Sequence, residues 1–323
     1  MSQLKPLLLV ENLGISTVQD PRTLINDVTF EIHAGEAVGV VGESGSGKTL
    51  TSLSILGLLP RGVAVTAGSV NYNGMNLTTA SPQQIRELRG SAISMVYQDP
   101  MTALNPVMKI GKQLLEVIES HEKLDANSDQ RVRDALKEVG IPDVARAMQS
   151  YPHEFSGGMR QRVMIAMALL LSPKLLIADE PTTALDVTIQ QQILSLVAEQ
   201  RQKRNMSMLW ITHDLGVVAN LVDRLIVMYA GRIVESGTVK EIFTNPQHPY
   251  TAGLLSSLPT TADKSRKRLT SIAGVPQKPW LVGQSCAFAP RCFKVQPECR
   301  TQIPHLVGNL EKSVACFHPM GAL

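Results

Sequence analysis

Three short stretches carry residues at spacings that could handle phosphate. Gly42-Glu43-Ser44-Gly45-Ser46-Gly47-Lys48-Thr49 matches the GxxxxGK[ST] pattern in full, after the apolar run EAVGVVG and before TLTSLSILGLL. That context suits a phosphate cradle: the glycines let backbone N–H groups turn inward on a β-phosphate, Lys48 neutralises the β and γ oxygens, and Thr49 ligates Mg²⁺. The bland alternative is a Gly/Ser turn before a helix, which the full pattern in this context disfavours. LLIADE, Leu175 to Glu180, ends an apolar run in two carboxylates. Asp179 is placed to reach Mg²⁺ and Glu180 to polarise an attacking water, although two acids at a strand end more often cap a helix. Ser156, Gly157 and Gly158 precede the apolar-periodic VMIAMALLL, so a helix N-terminus with a hydroxyl and two glycines forms a second candidate anion site. Alone it is a weak motif. His213, closing MSMLWIT, and Gln98, after ISMVY, are equally ordinary as polar strand ends.

A fourth constellation is chemically separate. The only four cysteines of the 323 residues, Cys286, Cys292, Cys299 and Cys316, fall in about the last tenth of the chain, with five, six and sixteen residues between them. No CxxC pair is present, so neither zinc-knuckle nor common ferredoxin spacing is signalled. Four thiolates in a proline-rich segment can still replace a core by holding a metal. A metal or cluster, free thiols and disulfides all stay open on the residues alone.

The elements that must position these groups follow from periodicity. TLINDVTFEI alternates, with Val28, Phe30 and Ile32 on one face of a half-buried antiparallel strand. EAVGVVG, KLLIAD and MSMLWITH read as buried parallel strands. VTIQQQILSLVAEQRQ between the last two is an amphipathic helix with Ile189, Ile193, Leu196 and Val197 on one face, giving a strand-helix-strand crossover. SDQRVRDALKEVGI carries Ser128 as a cap and Val132, Ala135, Leu136 and Val139 at helix spacing, within a helical stretch inserted between residues 100 and 155. RLIVMYAGRIVESG reads as a hairpin turning at Ala230 and Gly231. Proline density then rises, and a boundary is placed near residue 240. The basic run Lys264 to Arg268 reads as a solvated linker.

Composition limits the function classes. With 44% apolar residues the chain can bury a large core, and 31 basic against 28 acidic side chains leave only +3, so no nucleic-acid-scale basic surface is required. The opening MSQLKPLLLVENLG is too short for a signal h-region and is cut by Glu11, and Val163 to Leu171 is about half a membrane span. The chain is therefore expected in the cytosol, where thiols stay reduced.

The order of the motifs decides their meaning. The glycine loop, Gln98, Ser156 to Gly158, LLIADE, TTALD and His213 follow one another as in the ATP-binding-cassette ATPases, and the chain resembles that superfamily from about residue 7 to 240. YQDPMTALNP, SGGMRQRVMIAMAL, THDLGVVA and NPQHPYTAGLLSSLP further resemble its oligopeptide/dipeptide import group, which also serves nickel, glutathione and related solutes. The resemblance implies an α/β P-loop NTPase cassette over residues 1–240: a RecA-like parallel sheet core, an antiparallel β subdomain and an inserted helical subdomain at about 99–160. A small irregular C-terminal extension covers 241–323. It also implies that Gln98 contacts Mg²⁺ and reports nucleotide state, that Glu180 is the catalytic base, that His213 touches the γ-phosphate, and that Ser156 to Gly158 cover ATP held by a partner's loop.

The implied partners are a second ATPase subunit in a heterodimer, two membrane permeases and an extracytoplasmic substrate-binding protein, with no nucleic acid. The implied place is peripheral, at the cytoplasmic face of the bacterial inner membrane. Extensions of this group with a similar four-cysteine pattern hold a 4Fe-4S cluster, which the resemblance assigns to Cys286, Cys292, Cys299 and Cys316 in a structural role, with zinc as runner-up. The cysteine segment is expected to lie far from the glycine loop, so that losing it spares ATP binding. Two departures stand out: no aromatic residue precedes Phe30 to stack adenine, leaving Val18 and its neighbours an apolar contact at most, and Met159 replaces the usual glutamine of the signature. The rival readings are a soluble cassette ATPase of DNA repair or translation and a redox or iron sensor.

Overall fold

The computed structural model describes residues 5–183, 185–258 and 271–321. The chain divides into two compact units, one of residues 1–33, 37–79 and 210–323, the other of residues 34–36 and 80–209. The first unit opens with β1 (Leu8–Thr17) and β2 (Thr23–Ile32), paired antiparallel with Leu8 opposite Ile32 and Val10 opposite Phe30. The alternation over β2 is real: Val28, Phe30 and Ile32 are all buried. β3 (Ala37–Val41) is buried throughout and runs into α1 (Lys48–Ile55), followed by β4 (Val63–Tyr72) and β5 (Met75–Asn76). Four of these strands form an antiparallel sheet in the order β2-β1-β4-β5.

The second unit is mostly helical. It contains α2 (Pro82–Leu88), β6 (Ile93–Val96), α3 (Pro100–Ala103), α4 (Ile110–Glu119), α5 (Ser128–Glu138), α6 (Val144–Gln149), α7 (Gly157–Leu169), β7 (Leu175–Asp179) and α8 (Val187–Arg204). β6 and β7 pair in parallel, Ile93 opposite Leu175 and Val96 opposite Ala178. α5 buries Val132 and Leu136, but Ser128 is not its cap. Asn127 holds that position without a side-chain bond. The Ser128 hydroxyl instead accepts from Asp125 N–H at 2.9 Å and donates to Asp125 Oδ1 at 2.8 Å, a local turn that outcompetes capping. α8 buries Ile193, Leu196 and Val197, with Ile189 half-buried. Its last turn carries Arg201, Lys203 and Arg204, matched to the negative end of the helix dipole.

β8 (Ser207–Thr212) passes from the second unit into the first. There α9 (Leu215–Val218) leads to β9 (Arg224–Tyr229) and β10 (Arg232–Thr238), a hairpin whose turn residues Ala230 and Gly231 have φ of 46° and 78°. Positive φ at both central positions matches strand twist and suits glycine, as the sequence anticipated. β3 runs parallel to β9, Val38 opposite Arg224 and Val41 opposite Val227. α10 (Val239–Thr244) and α11 (Pro249–Ser256) follow, and beyond residue 270 regular structure is as sparse as the prolines suggest. Two short strands do form there, β11 (Val307–Gly308) and β12 (Lys312–Val314). β12 joins the sheet beside β10, with Glu235 opposite Val314. The run Lys264 to Arg268 lies outside the described residues. Among the described residues no helix is long and apolar enough to cross a membrane. The parallel pairs together with the antiparallel sheet bear out the expected α/β class.

Candidate nucleotide site and cysteine pocket

The glycine loop hangs between the buried end of β3 and the first turn of α1. A Cβ on Gly42 would lie 2.2 Å from the Met228 carbonyl oxygen, so only glycine lets the loop leave the strand there. Gly47 caps α1 with φ of 103°, again a glycine conformation. Gly231 N–H, in the hairpin turn, donates to Ser46 O at 3.0 Å and fixes the loop from below. Lys48 is buried, its ammonium donating to Gly42 O at 2.7 Å and Glu43 O at 3.1 Å. Ser44, Gly45 and Thr49 are exposed, and the buried Ser46 hydroxyl has no hydrogen-bond partner among the described residues. No acidic side chain occupies the first turn of α1, so its amides offer an unopposed positive end. His213, in the same unit, is exposed at the end of β8, beside Asp214, which accepts from Gly216 and Val217 N–H to cap α9.

In the second unit β7 delivers a buried Asp179 and a half-buried Glu180. Glu180 has φ of 46°, in the left-handed region, which costs a non-glycine residue roughly 1 kcal/mol. Thr183 Oγ1 donates to Glu180 Oε2 at 3.0 Å, and Gln98 Nε2 approaches the same oxygen at 3.5 Å. Gln98 and Glu180 are thus brought together, and Thr183, part of the TTALD motif but given no role of its own from sequence, orients the carboxylate. The Ser156 hydroxyl caps α7, accepting from Met159 N–H at 3.3 Å. Ser156 and Gly157 are exposed, and a Cβ on Gly157 would meet nothing nearer than Leu185 at 3.9 Å.

The four cysteines form no disulfide among the described residues and line one small pocket with His248, Pro249, Phe288, Ala289 and Phe317. Three 3-10 turns, Pro279–Leu281, Ala289–Arg291 and Pro297–Arg300, fold the segment. Cys286 N–H donates to Cys299 O at 2.9 Å, closing it on itself. Burial pushes the Cys286 and Cys292 thiols up, and Cys316 up to about 11. Backbone N–H groups work against that burial at three sulfurs: Phe288 and Ala289 at Cys286, Lys294 at Cys292, and His318 at Cys316. Among the described residues no three Cys, His, Asp or Glu side chains are grouped as the donors of a metal ion.

The expected remoteness of this segment is wrong. Arg291, next to Cys292, donates from Nη1 to Glu43 Oε2 at 2.6 Å and from Nη2 to Glu43 Oε1 at 3.0 Å, and Glu43 N–H donates to the Tyr250 hydroxyl at 2.8 Å. The extension holds the second residue of the glycine loop directly. The buried guanidinium is pushed up by its hydrogen bonds to Glu43.

The family pattern described as ABC transporter matches residues 25–183, which include the glycine loop, Gln98, Ser156 to Gly158, Asp179 and Glu180. The oligopeptide transport ATP-binding protein OppD of Salmonella typhimurium is 44% identical over 323 residues, covering 98% of this chain and 95% of that protein. The chain belongs to the ABC transporter ATPases. OppD of Bacillus subtilis is 50% identical, covering 85% of this chain and 78% of that protein, and the dipeptide transport ATP-binding protein DppD of the same organism is 48% identical, covering 90% and 87%. The solved structure of cbiO1 from Clostridium perfringens, part of the ABC transporter complex cbiONQ, superposes with a TM-score of 0.65 at 28% identity, covering 74% of this chain and 91% of that one. The pattern described as the oligopeptide/dipeptide transporter C-terminal region matches residues 234–299. Within this ABC ATPase it takes in Cys286, Cys292 and Cys299 but stops short of Cys316.

Proposed function

We propose that this ABC transporter ATPase binds and hydrolyses MgATP to drive uptake of small peptides through two membrane permeases fed by an extracytoplasmic binding protein. One observation carries the reading: a complete GxxxxGKT loop on a buried strand-to-helix turn shares its chain with an oligopeptide/dipeptide transporter C-terminal region. The amides of Gly42 to Thr49 and the Lys48 ammonium hold the β- and γ-phosphates, and Thr49, Asp179 and Gln98 serve Mg²⁺. Glu180 orients the attacking water and His213 meets the γ-phosphate, while Ser156, Gly157 and Gly158 cover ATP held by a second ATPase subunit. That subunit is a different chain in our reading, and the assembly sits peripherally at the cytoplasmic face of the inner membrane. The cassette runs to about residue 240, with its helical subdomain at about 99–160, and the extension follows from 241.

Cys286, Cys292, Cys299 and Cys316 are the ligands of a 4Fe-4S cluster in this proposal. What supports this reading is that four thiols line one pocket and that backbone N–H groups reach three of the sulfurs, contacts of the kind that tune cluster thiolates. The cluster would supply a structural crosslink for a segment with little core of its own. Zinc is the runner-up.

Reconstituting the chain with its membrane subunits in vesicles tests the transport reading. ATP-dependent accumulation of di- to pentapeptides supports it, whereas accumulation of nickel or glutathione alone moves the substrate class. Anaerobic purification tests the cluster: brown protein with about four irons and matching labile sulfide per chain is expected. Stoichiometric zinc favours the runner-up. Metal-free protein whose residues 271–321 resist protease under reducing conditions defeats both.

A further inference from the structure

Glu43 is an awkward residue in a loop built to hold an anion. Its carboxylate would repel the phosphates that the neighbouring amides and Lys48 attract. Charges several ångströms apart near a protein surface interact by a few kcal/mol, enough to change an affinity tenfold or more. In this fold the carboxylate is neutralised by a side chain 248 residues away.

We propose that Arg291 is a positioning residue of the nucleotide site: carried by the cysteine-rich segment, its guanidinium holds and neutralises Glu43, so that the loop presents amides rather than a free carboxylate to ATP. The inference rests on the nucleotide-binding reading given above and adds to it a residue outside the cassette motifs.

The geometry is that of a built clamp. The Arg291 side chain is 3% exposed, and its contact with Glu43 is two-pronged. Its remaining donors are occupied, Nε by Ala273 O at 2.9 Å, Nη2 also by Ile272 O at 3.3 Å, and Nη1 also by the Tyr229 hydroxyl at 3.4 Å. A planar guanidinium fixed at five contacts has one orientation, which lysine could not reproduce. The guanidinium lies 5.8 Å from the Tyr229 ring and 5.9 Å from the Phe288 ring. Phe288 in turn packs on Tyr250 with ring centroids 5.3 Å apart, and the Tyr250 hydroxyl accepts the Glu43 N–H. Both the side chain and the backbone of Glu43 are therefore held from one aromatic cluster. Phe288 is at the same time a wall of the cysteine pocket. Whatever orders that pocket orders the clamp.

The test is a double-mutant cycle on the full chain, read as the dissociation constant of MgATP, with protease resistance of residues 271–321 as the folding control. Arg291→Met keeps the apolar stem and removes the charge, and should raise the constant roughly tenfold, the scale of one uncompensated carboxylate near the phosphates. Adding Glu43→Gln to Arg291→Met should recover most of that loss, because the repelling charge is gone. A role confined to folding the extension predicts no recovery, so a double variant as weak as Arg291→Met overturns the proposal, as does an Arg291→Met affinity equal to wild type. If Arg291→Met loosens the extension, Arg291→Gln carries the test, since it removes the charge but keeps a polar donor: a raised constant on an intact fold is expected, and an unchanged one overturns the clamp. Wild-type protein that binds no MgATP overturns the nucleotide reading itself, and the clamp with it, whereas wild-type binding with insensitive variants sinks the clamp alone.

Discussion

The glycine loop and the Ser156–Gly158 turn both end in a helix N-terminus, yet they are built in opposite ways. At the loop, a Cβ on Gly42 or on Gly47 would each stand 2.2 Å from another atom of the fold, and backbone, lysine and the distant Arg291 all tie it down. At the turn, Gly157 is exposed with open space around it, and Ser156 does no more than cap its own helix. Glycine is required at the loop by the chain's own packing. At Gly157 nothing inside the described fold requires it, whereas a Cβ on the next residue, Gly158, would stand 2.7 Å from Ile189 Cγ2, so there the helix packing itself asks for glycine. A residue type that the fold does not need points outward, towards a surface that another molecule meets, as the proposed sandwich with a second ATPase demands.

That contrast can be broken or sharpened by substitution. The largest effect is expected at Glu180, whose replacement by glutamine should lower turnover by at least about a hundredfold while MgATP affinity stays within a few-fold, since in the proposed role the carboxylate orients water rather than holding phosphate. Single-turnover hydrolysis measured beside equilibrium binding checks it, and unchanged turnover removes Glu180 from the base role. Next comes Gly42→Ala, for which stability and binding should fall together. Its new methyl meets a backbone oxygen that cannot yield, costing about 1–3 kcal/mol in chemical unfolding.

Gly157→Asp should do the reverse. An acid in the first turn of α7 is neutral or mildly stabilising, so unfolding should shift by no more than about 0.5 kcal/mol. ATPase activity should nevertheless fall at least about tenfold, because a carboxylate then faces the proposed phosphate position. Loss of stability with activity retained would reverse our reading of the two regions.

The smallest effect is expected away from both. Glu138 accepts from Lys203 Nζ at 2.7 Å and from Arg204 Nη2 at 2.5 Å, and these bonds hold its carboxyl below the usual range. A depressed carboxyl stabilises the fold above its unfolded value, and that stability is lost as pH falls through the folded one. Glu138→Gln should therefore cost up to about 1 kcal/mol at neutral pH, and the gap to wild type should close below about pH 4 in urea titrations.

Much of this was legible in the sequence because it is local. Val28, Phe30 and Ile32 repeat with the period of a strand, Leu175 to Ala178 form an unbroken apolar run, and Ala230-Gly231 is a turn pair. The fold uses each as read. What escaped is non-local or decided by competition. Ser128 had the right type for a cap, but Asp125 three residues earlier offered its hydroxyl a nearer pair of partners. β12 is three residues long, too short to carry a period, and exists because β10 offers it an edge. Nothing in the pattern around Arg291 marks it as the counter-ion of Glu43. The cysteine spacing matched no zinc or ferredoxin pattern and left a shared site open, and the neighbourhood of this segment with the glycine loop became visible only once the chain was folded.

Glu180 carries one more consequence, for anyone evolving this protein in the laboratory. Its left-handed backbone, with φ of 46°, is a conformation glycine adopts freely. Glu180→Gly would relieve roughly 1 kcal/mol of strain, which the lost bond from Thr183 and glycine's larger entropy loss on folding offset. A library screened only for heat tolerance would thus not purge chains that have shed the proposed base, and thermostable descendants of this ATPase should be sequenced at position 180 before they are assayed for anything else.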